Sequence, residues 1–240
     1  MPCLSCSRGR IARVSHRDPH LNVFHAYRDP GRDPESRAQQ LEDNLTRALA
    51  ITLSRLQDER VRSQLLVALG VQPEKAAGFR GSLLQVAVTD NAWPSDRRIV
   101  VVHGGPRLRR TEGGQSERGR LDAVLLGNHF VLGLESKLGD TVSHGQLAAH
   151  RRTLGADNHP PSAVTWSALA RCAREGCRIA TSEVDRFLLE QFEEYLRMNG
   201  FGGLIHEHFA YFAMSPEERH LKLGTKDGMN RAGKAGGSKA

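Results

Sequence analysis

Arg120 to Lys137 reads RLDAVLLGNHFVLGLESK, and this stretch predicts a β-hairpin carrying one acid on each strand. LDAVLL and HFVLGLESK are apolar and rich in strand-forming residues, and Gly127-Asn128 stands between them as a tight turn. Paired antiparallel about that turn, Asp122 and Glu135 reach the same open end of the hairpin, two residues out of register. Lys137 follows Glu135 at a spacing of two, so strand alternation turns it to the same face. Two acids and an ammonium converging on one strand end suit a hard metal ion with a cation beside it. The FVLGLE run is apolar enough to predict a strand buried on both faces. Polar residues emerging at its end then lie at a sheet terminus, where sites form.

Outward from the hairpin, the elements alternate in type. Ser36 to about Arg60 is helical, with Leu41, Leu45, Ala48, Leu49, Thr52, Leu53 and Leu56 recurring at three and four. VRSQLLVALG continues or restarts a helix that Gly70 terminates. LLQVAV (Leu83 to Val88) and RIVVVH (Arg98 to His103) read as strands, and Gly104 to Gly119 as a basic, Gly-rich loop. Beyond the hairpin come a helix around Gln146, a short strand near Ala163 to Thr165 and a helix from Trp166 to Arg174. SEVDRFLLEQFEEYLRMNG is the clearest helix. Ser182 and Asp185 form its capping box, Val184, Phe187, Leu188, Phe192, Tyr195 and Leu196 its apolar face, and Gly200 its end. Helix, sheet, then helices argues an α/β protein with a central mixed or mostly antiparallel sheet.

The Asp122…Glu135-Ser136-Lys137 pattern resembles the PD-(D/E)xK nuclease superfamily, with Leu121 standing where the motif's proline falls. LEDNLTRAL (Leu41 to Leu49) resembles the family's acid-bearing helix, and GQLAAHRR (Gly145 to Arg152) the helix after its lysine strand. The resemblance spans roughly residues 35 to 155 in the order acid helix, hairpin, Gln helix. It implies a restriction-endonuclease-like α/β fold, a central mixed β-sheet flanked by helices. It also implies metal-dependent hydrolysis of phosphodiester bonds, with DNA favoured, in a defence system (antiviral, for example) or in repair. Asp122, Glu135 and Glu42 would be the acids around Mg²⁺, or Mn²⁺ in its place, with the Ser136 carbonyl as a further oxygen. Lys137 would orient or help deprotonate the attacking water and stabilise developing charge. Glu42 stands four before Thr46 on one side of the helix; Asp43 is the alternative for its role, and a first-turn acid favouring the helix dipole is the plain one. Gln146 would touch the scissile phosphate or a metal-bound water.

At 240 residues the chain suits one domain with short additions: an irregular arm over 1–34 with a short strand around Leu21 to Tyr27, a core over 35–224, and a Gly- and Lys-rich tail over 225–240 expected to be disordered. A net charge of +7 favours a polyanionic partner. Arg107, Arg109, Arg110, Arg118 and Arg120, all just before the hairpin's first strand, are the candidates for gripping a nucleic-acid backbone. No apolar run approaches a membrane span, and MPCLSCSRGR lacks an apolar signal core, so a cytoplasmic location is expected. Cys3/Cys6 and Cys172/Cys177 have spacings that zinc sites use. Their places, at the terminus and within a helix, favour reduced, unliganded thiols. His25, His103, His144 and His150 show no metal-like spacing; His144 and His150 lie near the site, where satisfied or solvent-facing roles are the commoner ones. Trp93 and Trp166 are expected in the core.

Two other classes compete with a nuclease: a catalytically silent nucleic-acid-binding module of the same fold, and a protein whose charge serves a partner subunit. A homodimer would suit an enzyme that cuts both strands at once.

Overall fold

The computed structural model describes residues 22–24, 33–87, 93–112, 120–156 and 158–202. It opens on α1 (Pro34–Arg55), which Asp33 caps by accepting from Ser36 N–H, followed by α2 (Glu59–Ala68) and the single turn α3 (Pro73–Ala76). The one long helix predicted to Arg60 is therefore broken at Leu56 to Asp58, where Asp58 caps α2. Strands β1 (Phe79–Val86), β2 (Arg97–His103), β3 (Arg109–Thr111), β4 (Leu121–Gly127), β5 (Val131–Lys137) and β6 (Thr141–Ser143) come next. They lead into α4 (His144–Leu154), β7 (Ser162–Thr165), α5 (Trp166–Ile179) and α6 (Glu183–Met198). The loop expected from Gly104 to Gly119 holds a strand, because β3 pairs in parallel with β6 to make a second, two-stranded sheet.

The main sheet has five strands in the order β1-β4-β5-β2-β7. β1, β4 and β5 run antiparallel to their neighbours, and β5, β2 and β7 run parallel. The protein is thus α/β, with a mixed sheet flanked by helices. Alternation divides the core into two layers. Val100, Val102, Leu132 and Leu134 pack with α1, α2, α5 and α6, while Ile99, Val101 and Val131 pack with Leu147 and Leu154 of α4. Trp166 is fully buried in the first layer, and Trp93 packs against the second.

The hairpin forms with its turn one residue later than expected. Gly127 N–H donates to Phe130 O, so Asn128 and His129 are the central pair. Gly127 is needed for space, since a Cβ there would lie 2.1 Å from the Phe130 ring. Ala123 pairs with Leu134, and continuing that register sets Asp122 opposite Glu135 instead of two residues away. Directly opposed residues share a face of the sheet.

α6 also departs from its expected face. Val184 and Phe187 are exposed, whereas Asp185 is fully buried. Ser182 does cap the helix, accepting from Asp185 N–H. The Asp185 carboxylate points away from that box and accepts from Gln57 N–H and Asp58 N–H, tying the break between α1 and α2 to α6. Rotating the helix to make this contact turns Val184 and Phe187 outward.

Of the expected N-terminal arm, Asn22–Phe24 form a turn against α6: Asn22 donates to Gln191 O, and the Phe24 ring meets Phe192 and Tyr195. The rest of the arm to residue 32 and the tail over 225–240 lie outside the described residues. Among the described residues no helix is long and apolar enough to cross a membrane. Cys172 and Cys177 are free thiols on α5, and burial pushes the Cys177 thiol up to about 11. Cys3 and Cys6 are outside the described residues.

Removing the buried Asp185 acceptor leaves two backbone donors unmet. We expect Asp185→Ala to lose about 2–3 kcal/mol of stability in urea unfolding, and Val184→Ser to stay within about 0.5 kcal/mol of the parent.

Candidate active site

β2, β5 and β7 all end at the same edge of the sheet, and β4 begins there. Their parallel carboxyl ends are where α/β sheets open onto ligands. His103, Lys137 and Thr165 stand side by side in the registers at this edge. Asp122 and Glu135 sit just inside it. β5 is buried on both faces almost to its end, with only Lys137 partly open, as the FVLGLE run predicts.

Glu135, 2 % exposed, is held by groups from two elements. Its Oε1 accepts from Gln146 Nε2 at 2.6 Å and faces Lys137 Nζ at 2.7 Å. Its Oε2 lies 2.7 Å from His150 Nε2, and both atoms are buried. Gln146 is carried at the start of α4, whose first turn is capped by the Ser143 hydroxyl accepting from Gln146 N–H. His150 follows one turn later on the same side.

Asp122 is buried as well; its Oδ2 accepts from Ser136 N–H at 2.7 Å. Among the described residues no donor reaches its Oδ1. Glu42 approaches from the opposite layer. Its Oε1 accepts from Leu138 N–H, and its Oε2 lies 3.5 Å from Lys137 Nζ. One turn on, Thr46 donates to Glu42 O and its hydroxyl meets that of Ser136. Trp166 Nε1 donates to Lys137 O and pins the strand's end. Asp43, the alternative acid, instead accepts from Gln39 and Gln85 on the surface.

Asp122, Glu135, Lys137, Glu42 and Gln146 are therefore brought together. Of the five arginines, Arg109 and Arg110 stand exposed on β3, where Arg109 pairs with Asp140 and Arg110 donates to Pro161 O. Arg107 and Arg120 flank β3 and β4 in sequence, and Arg118 lies outside the described residues. Two histidines of this edge were named from sequence without an assigned part in the site. His103 is buried with an unpartnered Nδ1, and its signal is its place at the end of an apolar strand. His150 was placed near the site without a role, although its spacing from Gln146 sets both on one helical face.

The charges divide unevenly. Burial and the neighbouring Glu135 push the Asp122 carboxyl up to about 7. Glu135 goes the other way: against the penalty of burial, the adjoining His150 and the Lys137 ammonium hold it below the ordinary range. Burial raises Glu42 despite the pull of Lys137. Lys137 is pulled down by burial but held up more strongly by Glu135 and Glu42, so it stays an ammonium.

Among the described residues no three His, Cys, Asp or Glu side chains are grouped to enclose an ion as placed. The donor set nevertheless fits a hard cation: Asp122 Oδ1 has no donor among the described residues, and Glu135 is a second carboxylate opposite it on the same face of the sheet. Two carboxylates with water completing the shell is a common way of holding Mg²⁺.

No protein-family model, no curated protein and no solved structure matches this chain.

The raised Asp122 pKa has a sign that unfolding reads directly. Between its ordinary 3.8 and about 7 the native carboxyl keeps a proton that the unfolded chain releases, so its contribution to stability falls as pH rises through that window. Asp122→Asn removes this slope. In EDTA, urea unfolding from pH 5 to 8 is expected to show the Asn variant gaining on the parent with rising pH, by about 2–3 kcal/mol in all, then levelling.

Proposed function

We propose that this protein is a metal-dependent nuclease of the PD-(D/E)xK type with a restriction-endonuclease-like fold, hydrolysing phosphodiester bonds, with DNA as the favoured substrate. The observation that carries the reading is Glu135. It is a carboxylate buried at the end of a two-faced strand, opposite Asp122, with a charged Lys137 on one oxygen and the buried His150 ring against the other.

In this reading Asp122 and Glu135 hold Mg²⁺ or Mn²⁺, with Glu42 as the third acid. A bound ion supplies Lewis acidity toward the phosphate and lowers the pKa of a coordinated water. The rest is work for the chain's own groups. Lys137, kept protonated by Glu135 and Glu42, orients the attacking water and compensates the negative charge that grows on the phosphoryl oxygens. Its charge suits it to stabilising that charge more than to taking a proton. Glu42 keeps the ammonium on the site side of β5, and Gln146 holds Glu135 Oε1 while its helix start faces the scissile group. Attack by water oxygen forms one P–O bond as the bond to the leaving sugar oxygen breaks; the attacking water gives up a proton to solvent, and the leaving oxygen takes one up. In this reading Arg109 and Arg110, exposed on β3, would turn from Asp140 and Pro161 O to grip the backbone. A homodimer or a partner protein, in a defence or repair system, belongs to the same reading.

The purified protein should cut circular duplex DNA, single-stranded DNA or RNA with Mg²⁺ or Mn²⁺ and not with EDTA. Lys137→Ala and Glu135→Ala are expected to lose at least about 100-fold in cleavage rate, with nucleic-acid binding by fluorescence anisotropy kept. Tight binding without cutting by the parent protein would identify the silent binding module instead.

A further inference from the structure

Glu135 is gripped on one oxygen and faced on the other. Lys137 and Gln146 both address Oε1, which leaves the carboxylate's terminal torsion to be settled by whatever meets Oε2; that torsion is intrinsically broad. The group there is His150, its side chain 2 % exposed, with Nε2 2.7 Å away. Its Nδ1 has no partner. Since Nε2 alone faces an acceptor, the ring proton belongs on Nε2.

A purely structural explanation does not account for this ring. The neighbouring α4 positions bury Leu147 and Leu154 against Ile99, Val101 and Val131, and an apolar side chain at 150 would fill the same space. An imidazole buried there leaves a polar nitrogen unmet, a cost in stability. What it delivers is a third point of contact on Glu135.

We propose that His150 is a positioning residue that fixes the plane of the Glu135 carboxylate and so presents its oxygen to a divalent cation. The inference rests on the nuclease reading of the site, through its metal. Gln146 and His150, four apart on α4, then act as a pair: one holds Oε1 and the other sets Oε2. Because α4 begins directly from β6, the two arrive together as the helix docks.

The test is Mn²⁺ binding by the full chain without nucleic acid, followed by the electron paramagnetic resonance of free Mn²⁺, alongside thermal unfolding. Histidine's Nε2 is mimicked by the glutamine amide nitrogen, and its Nδ1 by that of asparagine. We expect His150→Phe and His150→Asn to weaken Mn²⁺ binding by about 10–100-fold, and His150→Gln to restore most of it. The Asn variant decides the matter if the Phe variant does not fold. Parent-like affinity in the Phe or Asn variant, or rescue by Asn in place of Gln, overturns the proposal and leaves the metal site standing. A parent protein that binds no Mn²⁺ removes the metal site, and the proposal with it.

Discussion

A negative charge inside a β-sheet is the constraint around which this protein is arranged. Glu135 is buried on a strand covered on both faces. Moving a carboxylate from water to such a place costs several kcal/mol unless cations and donors meet it there. Each of those groups comes from a different part of the chain. Lys137 arrives by strand alternation, Gln146 and His150 by the docking of α4, and Glu42 crosses from the other layer to hold Lys137. The cap on α4, the order of strands and the docking of α1 all serve to bring these groups within reach of one side chain.

Two carboxylates that face each other across a hairpin cannot both ionise freely. Here the conflict is settled by neighbours: Lys137 and His150 gather on Glu135, while Asp122 has one backbone N–H and titrates near neutrality. The pair titrates as a unit, and its second proton is lost at a pH that cells inhabit. A cation entering between the two would displace that proton, which makes its affinity rise with pH.

Much of the site was legible in the strand pattern because β5 has few ways to be built: an apolar run ending Glu-Ser-Lys must bury its middle and open its end. The α/β order followed from helix and strand periodicity, whereas the convergence of Glu42 and Gln146 was expected only from the resemblance of their helices to a known motif. The hairpin register was not legible. Gly127 looks like a turn residue, yet its lack of a Cβ serves the Phe130 ring, a contact across the loop that local propensity does not report. The rotation of α6 was hidden for a related reason. Asp185 looks like a surface cap, but two distant backbone donors draw it into the interior and expose Val184 and Phe187. Strand β3 was missed because three exposed residues carry no alternation, and only pairing with β6 makes them a strand. His150 was underrated because a histidine on an apolar face is usually core, and only distance to Glu135 distinguishes it.

The crossing of Glu42 to the far side of the sheet has a temporal consequence. Leu138 and Glu42 are 96 positions apart, and Thr46 and Ser136 are 90 apart. Contacts that close such long loops form late, after the local helices and the β4–β5 hairpin. On the ribosome, α1 is complete long before the strand that will receive it has been made. The contacts of Glu42 are therefore made last, and a growing chain carries that acid apart from Asp122 and Glu135 until β5 has been synthesised.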